Sequence, residues 1–352
     1  MSTDRESGGA RSRRRRSGAR GERLEGMPVS PAPSPDEVST ALRQRLAGRF
    51  PGGVTDVEVP VRVTGGFDFW IYAVHLGGAG LPAEWRTPLI VRIPASAERF
   101  PALERECRLQ GWVAAHGYPA PPVLELLAPG ELFDSPVQVM RRVAGSTMAH
   151  MVTRAPWRSP GLARRLAASQ AALHRLPRPE WTQAEHDWSF ADKRLELPRH
   201  LVAEGVDGPL EEALERTERI VPRLEVSEPV ICHGDFHMRN LLVDGGTTWV
   251  IDWTDAGIGD RHGDIARCDF LFRFSGVALG GWTGRLYRAL APVLSRRYLS
   301  SYRRDLPIDS ARLRLWMPLI VLHQWAFVVA REHPRAAAWA EEQFRLCIED
   351  LP

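Results

Sequence analysis

Between Val230 and Ala266 the chain reads VICHGDFHMRNLLVDGGTTWVIDWTDAGIGDRHGDIA, and its chemistry-bearing residues are concentrated there. Asp235, Asn240 and Asp252 all offer hard oxygen atoms, as donors to a magnesium ion or as acceptors of a proton. Asp244-Gly245-Gly246 is an Asp-Gly signal for a tight hairpin, which would mount Asp252 across from Asp235 and Asn240. The bland alternative is that Asp235 and Asp252 cap turns. His233 and His237 stand four apart and on a helix could form a metal pair, but Gly234 and the apolar run before it disfavour a helix there. Asp255, Asp260 and Asp264 continue the acidic pattern.

The elements around this segment follow from apolar spacing. Ser34-Pro35-Asp36-Glu37 combines a cap, a proline at the first helical position and a capping-box glutamate, which predicts a helix to about Arg49. Strand-like runs follow at Val57 to Val63, Phe69 to Leu76 and Leu89 to Ile93. The spacing of Phe100, Leu103, Cys107, Leu109, Trp112 and Val113 suits a helix ending at Gly117, and Val123 to Leu127 and Val137 to Val143 read as two more strands. The N-terminal half is thus expected to be a small antiparallel sheet with one embedded helix. From Ser146 the pattern turns helical, clearest at Pro160 to His174 and Pro209 to Val221, interrupted by the apolar runs Pro229 to Val243 and Thr247 to Trp253. Beyond Asp264 it is helical to the end.

HGD, four residues, Asn, a hairpin and then IDW resemble the aminoglycoside phosphotransferase family over roughly residues 40 to 300. That resemblance implies an α+β, bilobal protein-kinase-like fold: a disordered Arg-rich tail (1–33), a small β-rich N-lobe binding nucleotide (34–143) and a larger, mostly helical C-lobe (144–352). It implies a small-molecule kinase that moves the γ-phosphate of ATP or GTP to a substrate hydroxyl with Mg2+. Asp235 would be the base or the group orienting the hydroxyl, His233 would orient the loop, and Asn240 and Asp252 would ligate metal. Asp264 would hold the loop in place, and Asp255 would approach metal or substrate. Gly65 and Gly66 resemble the family's glycine turn over the phosphates, or are a plain hairpin turn. Arg92 stands where kinases place a phosphate-contacting lysine, with Glu106 as partner and Glu104 as rival; a surface salt bridge is the alternative. Met140 and Arg142 fall in the segment matching the hinge against adenine. Where the family commonly has Pro and Gly before the loop asparagine, Met238 and Arg239 stand here.

Composition narrows the rest. Of 46 cationic residues only Lys193 is lysine, so arginine must do any phosphate-contacting work in the N-terminal half. The chain's formal charge is +3, but eight arginines against four acids in the first 34 residues leave the remainder at −1. A folded part so close to neutral is not expected to bind nucleic acid. Residues 146–352 carry 27 basic and 27 acidic residues, which argues against a strongly cationic acceptor. The four cysteines form no CxxC pair and read as reduced thiols. Met317 to Ala330 is too short and too polar for a membrane span, and no apolar stretch near the N-terminus suggests a signal peptide. The expectation is a cytoplasmic monomer or homodimer with no membrane partner, acting on a small hydroxylated compound such as an antibiotic. The alternatives are a metabolic sugar or amino-alcohol kinase and a catalytically silent nucleotide-binding scaffold. Trp157, Trp181, Trp188, Trp253, Trp282, Trp316 and Trp325 are mostly expected in the core, with one or two at the acceptor site. The RSRRRR run could touch RNA or lipid; the bland reading is a solvated tail, or Met27 as the true first residue.

Overall fold

The computed structural model describes residues 31–52, 56–63, 69–183, 189–206, 208–349 and 351. Gly65, Gly66, Trp188 and the tail up to residue 30 lie outside the described residues. The first helix, α1 (Pro35–Arg49), starts as its sequence dictates: the Ser34 hydroxyl accepts from the Glu37 amide at 3.2 Å, and the Ser34 amide donates to Glu37 Oε2 at 2.6 Å. Two short strands follow, β1 (Asp56–Val57) and β2 (Val61–Val63). The run expected as one strand is thus broken near Pro60, which has no amide hydrogen to give a ladder. Next come β3 (Phe69–Val74), β4 (Leu76–Gly77), β5 (Leu89–Pro94), the helix α2 (Phe100–Ala115), β6 (Val123–Leu127) and β7 (Val137–Arg141). Five of these strands form an antiparallel sheet in the order β2-β3-β5-β7-β6, while β1 pairs with β4 alone. Tyr72, Val91, Ile93 and Val139 from the sheet pack with Val38, Leu42 and Leu46 of α1 in one core.

The remainder is helical apart from short strands that carry the loop of interest. It runs β8 (Ser146–Thr147), α3 (Met148–Arg154), α4 (Ser159–Leu173), α5 (Phe190–Ala203), α6 (Pro209–Glu218), β9 (Val230–Cys232), β10 (Leu241–Asp244), β11 (Thr247–Val250) and β12 (Gly257–Gly259). Four long helices close it: α7 (Arg261–Ala278), α8 (Gly281–Asp305), α9 (Ser310–Ala330) and α10 (Pro334–Glu349). The Asp-Gly signal makes the hairpin it predicts, with Asp244 opposite Thr247 across Gly245-Gly246. β12 and β8 were not visible in the sequence, being only three and two residues long. One core joins α4, α7 and α8 to the end of α2, through Leu109, Val113, Leu166, Phe272 and Tyr298. A second joins α5, α6, α9 and α10. Helix α9 is long and apolar enough to cross a membrane by length and composition alone, but it is mostly buried within the fold, as a core helix. Its Trp316, Leu319, Ile320 and Trp325 pack into this second core.

Candidate active site

The loop between β9 and β10 is fixed from behind by one carboxylate. Asp264, in the first turn of α7 and fully buried, accepts from the His233 amide (3.1 Å), the Gly234 amide (2.8 Å), Gln170 Nε2 (3.0 Å) and His174 Nε2 (3.1 Å). Burial pushes this carboxyl up, but the His174 hydrogen bond and charge, His233 and Gln170 outweigh it and hold it at about 2. Tyr302 and Tyr298 in turn hold His174 and Gln170. Gly234 is required on two counts. Its φ is +82°, and a Cβ there would stand 2.2 Å from the Asp255 carbonyl oxygen. His233 is fully buried; its Nε2 lies 3.1 Å from the Ile251 carbonyl and its Nδ1 accepts the Asp235 amide at 3.3 Å, so the ring ties the loop to the strand after it. Burial also lowers its pKa.

Within this frame Asp235 and Asn240 are joined directly, and Asp252 follows Ile251, whose amide donates to the Asn240 carbonyl at 2.9 Å. Asn240 Nδ2 donates to the Asp235 carbonyl oxygen (3.0 Å) and to Asp235 Oδ2 (3.2 Å), which turns the asparagine oxygen the other way. The second oxygen, Oδ1, accepts from Arg267 of α7 at 3.1 Å. His237 Nε2 lies 3.1 Å from Oδ2. Burial raises the Asp235 pKa, yet His237, Arg267 and His233 together hold it well below the ordinary carboxylate range. The rings of His233 and His237 serve different partners. Asp252 adopts φ +65°, a left-handed conformation that an L-residue takes at a cost. Its side chain is half exposed, with the Thr254 hydroxyl 3.1 Å from Oδ1.

Arg92 reaches this group from the sheet. On β5 and nearly buried, it donates to Glu106 of α2, to Gln138 Oε1 on β7 (2.8 Å) and to the Thr254 hydroxyl (3.3 Å), and lies 3.8 Å from Asp252. Burial disfavours its charge, but Glu106 and Asp252 outweigh that and raise its pKa. The surface salt bridge offered as the alternative is thereby excluded for this pair: both side chains are at least nine-tenths buried. The guanidinium also lies 4.1 Å from the centre of the Phe69 ring. Met140 is nearly buried on β7, where Gln110 donates to its sulfur at 3.7 Å. Arg142 has an exposed side chain, and its amide donates to Pro88. Arg239 is exposed.

Several partners had no sequence signal. Arg267 is held by Gln324 of α9 while it grips Asp235. Arg194 of α5, with its side chain almost fully buried, donates to Asp255 Oδ2 at 3.1 Å and to its carbonyl at 3.3 Å. His323 fits the same set. Its Nδ1 lies 3.1 Å from the Arg194 carbonyl and its Nε2 3.2 Å from Arg194 Nη1, so the ring is neutral, and burial with the Arg194 and Arg267 charges lowers its pKa to about 3. Asp255 therefore faces a buried cation, and its outer side is exposed.

A five-stranded antiparallel sheet facing a helical body across a loop of this build defines the protein-kinase-like fold. A family model described as the phosphotransferase enzyme family matches residues 61–306, and the chain belongs to that family. Aminoglycoside 3'-phosphotransferase of Streptomyces fradiae is 32% identical over 185 residues, which cover 44% of this chain and 59% of that relative, so the match spans about three fifths of its length. Two solved structures share the fold. A thermostable mutant of aminoglycoside phosphotransferase APH(4)-Ia, in ternary complex with AMP-PNP and hygromycin B, aligns with a TM-score of 0.59 at 18% identity over 88% of this chain and 98% of that one. Choline kinase from Cryptosporidium parvum Iowa II aligns at 0.55 and 13% identity, over 89% and 94%.

Proposed function

We propose that this protein transfers the γ-phosphoryl group of ATP or GTP to a hydroxyl of a small molecule of antibiotic type, neutral or weakly cationic. The observation that carries this is the joining of Asp235 to Asn240, with the Asn240 nitrogen spent on Asp235 and its oxygen left for another partner, while the Ile251 amide bonds the Asn240 carbonyl (2.9 Å) and so ties the residue before Asp252 to the same loop. The ternary complex of APH(4)-Ia with a nucleotide analogue and hygromycin B supports a nucleotide and a hydroxylated antibiotic as the two substrates.

The donor set suits magnesium. It consists of one amide oxygen and one carboxylate, both hard, and magnesium is usually held by one or two side chains together with phosphates. Among the described residues no group of three His, Cys, Asp or Glu side chains is arranged to hold a metal by itself. Asn240 and Asp252 would hold the ion, which when bound neutralises charge on the nucleotide phosphates. Arg92, fixed by Glu106 and Gln138, presents a positive charge from the sheet to the same phosphates. Gly65 and Gly66 would cover them, and Met140 and Arg142 border the adenine side.

Asp235 aligns the acceptor hydroxyl and takes its proton. A carboxylate held so far below its ordinary range is a weak base, so its main work is orientation, with the proton arriving late in a loose transition state. His233 and Asp264 keep the loop in register, and Arg267 keeps Asp235 anionic.

The test is phosphoryl transfer from ATP or GTP with magnesium over a panel of antibiotics, amino sugars and nucleosides, read by mass, with Asp235→Asn alongside. The variant should bind nucleotide as the wild type does and lose transfer by about 10³-fold. Nucleotide binding with neither transfer nor metal-dependent hydrolysis in the wild type would leave only the scaffold reading.

A further inference from the structure

The outward face of α8 has no part in this site. Its inner face carries Tyr298 and Tyr302, which hold Gln170 and His174 behind the catalytic loop. At 100° per residue, Arg285, Arg296 and Arg303 fall on one line along the opposite, exposed face, with Arg288 on one flank and Trp282 and Val293 on the other. From Trp282 to Arg304 this stripe runs about 33 Å. The helix holds six arginines, and its one acid is its last residue, Asp305. Among the described residues none of the six forms an ion pair; Arg288, Arg296 and Arg304 find only two backbone carbonyls and a serine hydroxyl.

On the Val293 flank the surface is also concave. Pro160 of α4 with Val293, Arg296, Arg297 and Ser300 lines a shallow, open groove. Trp157, three residues before Pro160, is 77% exposed, and Trp282 is 63% exposed. Two bare indoles beside unpaired guanidinium groups match a bilayer headgroup layer, where arginine meets phosphate and tryptophan sits at the boundary with the acyl chains. A nucleic acid would use the arginines but asks for a positive field over the folded surface, and the chain beyond residue 34 carries a formal charge of −1. A flat bilayer meets only this one face.

We propose that the outer face of α8 docks on an anionic phospholipid bilayer, with a lipid phosphate in the groove at Arg296 and Arg297 and with Trp157 and Trp282 at the headgroup boundary. This departs from the expectation of no membrane partner. It leaves the cleft open, because the docked face is the one turned away from the catalytic loop.

The test is co-sedimentation of the full chain with vesicles of phosphatidylcholine alone and of phosphatidylcholine with about one third phosphatidylglycerol. The wild type should bind the anionic vesicles at least about tenfold more tightly than the neutral ones. The triple reversal Arg285→Glu, Arg296→Glu and Arg303→Glu touches only exposed positions; it should keep the wild-type melting temperature and lose at least about tenfold on anionic vesicles. Trp157→Ala with Trp282→Ala should weaken binding several-fold while keeping its salt dependence. The Arg-rich N-terminal stretch is present in every variant, so anionic binding that survives the triple reversal assigns it to that stretch and overturns the proposal. Absence of wild-type binding overturns it equally. So does a wild type that ignores vesicles yet binds homopolymeric RNA through this face.

Discussion

Replacing Asp264 by Asn asks how much one buried carboxylate contributes to holding the catalytic loop. Four donors converge on it: two loop amides, Gln170 and His174. The amide that replaces it has one acceptor oxygen; placed where Oδ2 accepts three of the donors, it turns an NH2 group on the Gly234 amide and removes the charge from the other three bonds, together a loss of about 2 to 3 kcal/mol. The same donors hold the native carboxyl at about 2 against 3.8 for a free one, a gap on the order of 2 to 3 kcal/mol. Because the native value is the lower of the two, this stability is present above the unfolded value and is lost as pH falls toward 2. Urea unfolding should therefore show Asp264→Asn less stable by about 2.5 kcal/mol at pH 7, with the gap narrowed by about 1 kcal/mol at pH 3. The turnover number should fall at least about tenfold, with nucleotide affinity retained, since it is the loop that loses its anchor. A variant within about 0.5 kcal/mol of the wild type at pH 7, or a gap of constant size down to pH 3, would refute this account of the loop.

Gly234→Ala places a methyl 2.2 Å from the Asp255 carbonyl at a φ of +82°, so the variant should lose phosphotransfer almost entirely and melt several degrees lower, checked by calorimetry and the transfer assay. Arg92→Met leaves Glu106 buried and unpaired and should cost about 3 kcal/mol in chemical unfolding; adding Glu106→Leu should restore most of that while nucleotide affinity stays lost, separating the fold from binding. His323 is neutral in the native state at a pKa of about 3, whereas the unfolded chain protonates it near 6.5. The stability it contributes is thus complete above about pH 6.5 and falls as pH drops toward 3, so His323→Asn should lose less of its melting temperature between pH 7 and 5 than the wild type does.

What was legible in the sequence is what is local. The capping box at Ser34 and Glu37 sits within four residues, and the hairpin follows from Asp244-Gly245-Gly246 alone. Asp235, Asn240 and Asp252 are identifiable because their spacing is set by one loop and one hairpin. The pairing of Arg92 with Glu106 was implied by the family resemblance, which left Glu104 as a rival on the same helix. Other partners come from far along the chain. Arg267 is 32 residues beyond Asp235, Arg194 is 61 before Asp255, and His174 is 90 before Asp264. An arginine on an amphipathic helix has the same local pattern whether it ends in water or on a carboxylate, and only the packing of α5, α7 and α9 decides between them.

That distinction carries a consequence for the site. The state of the two carboxylates is set jointly by the loop and the helices: His237 of the loop and Arg267, held by Gln324, keep Asp235 ionised, and Arg194 does the same for Asp255. Asp235 and Asp255 thus each already have a buried guanidinium against them, which offsets their charge before any ligand enters. Such a site has little to gain from a second ammonium group, in line with the equal numbers of basic and acidic residues over 146–352. Acceptor recognition would then rest on shape and hydrogen bonding more than on net charge, and loop residues alone could not have revealed it.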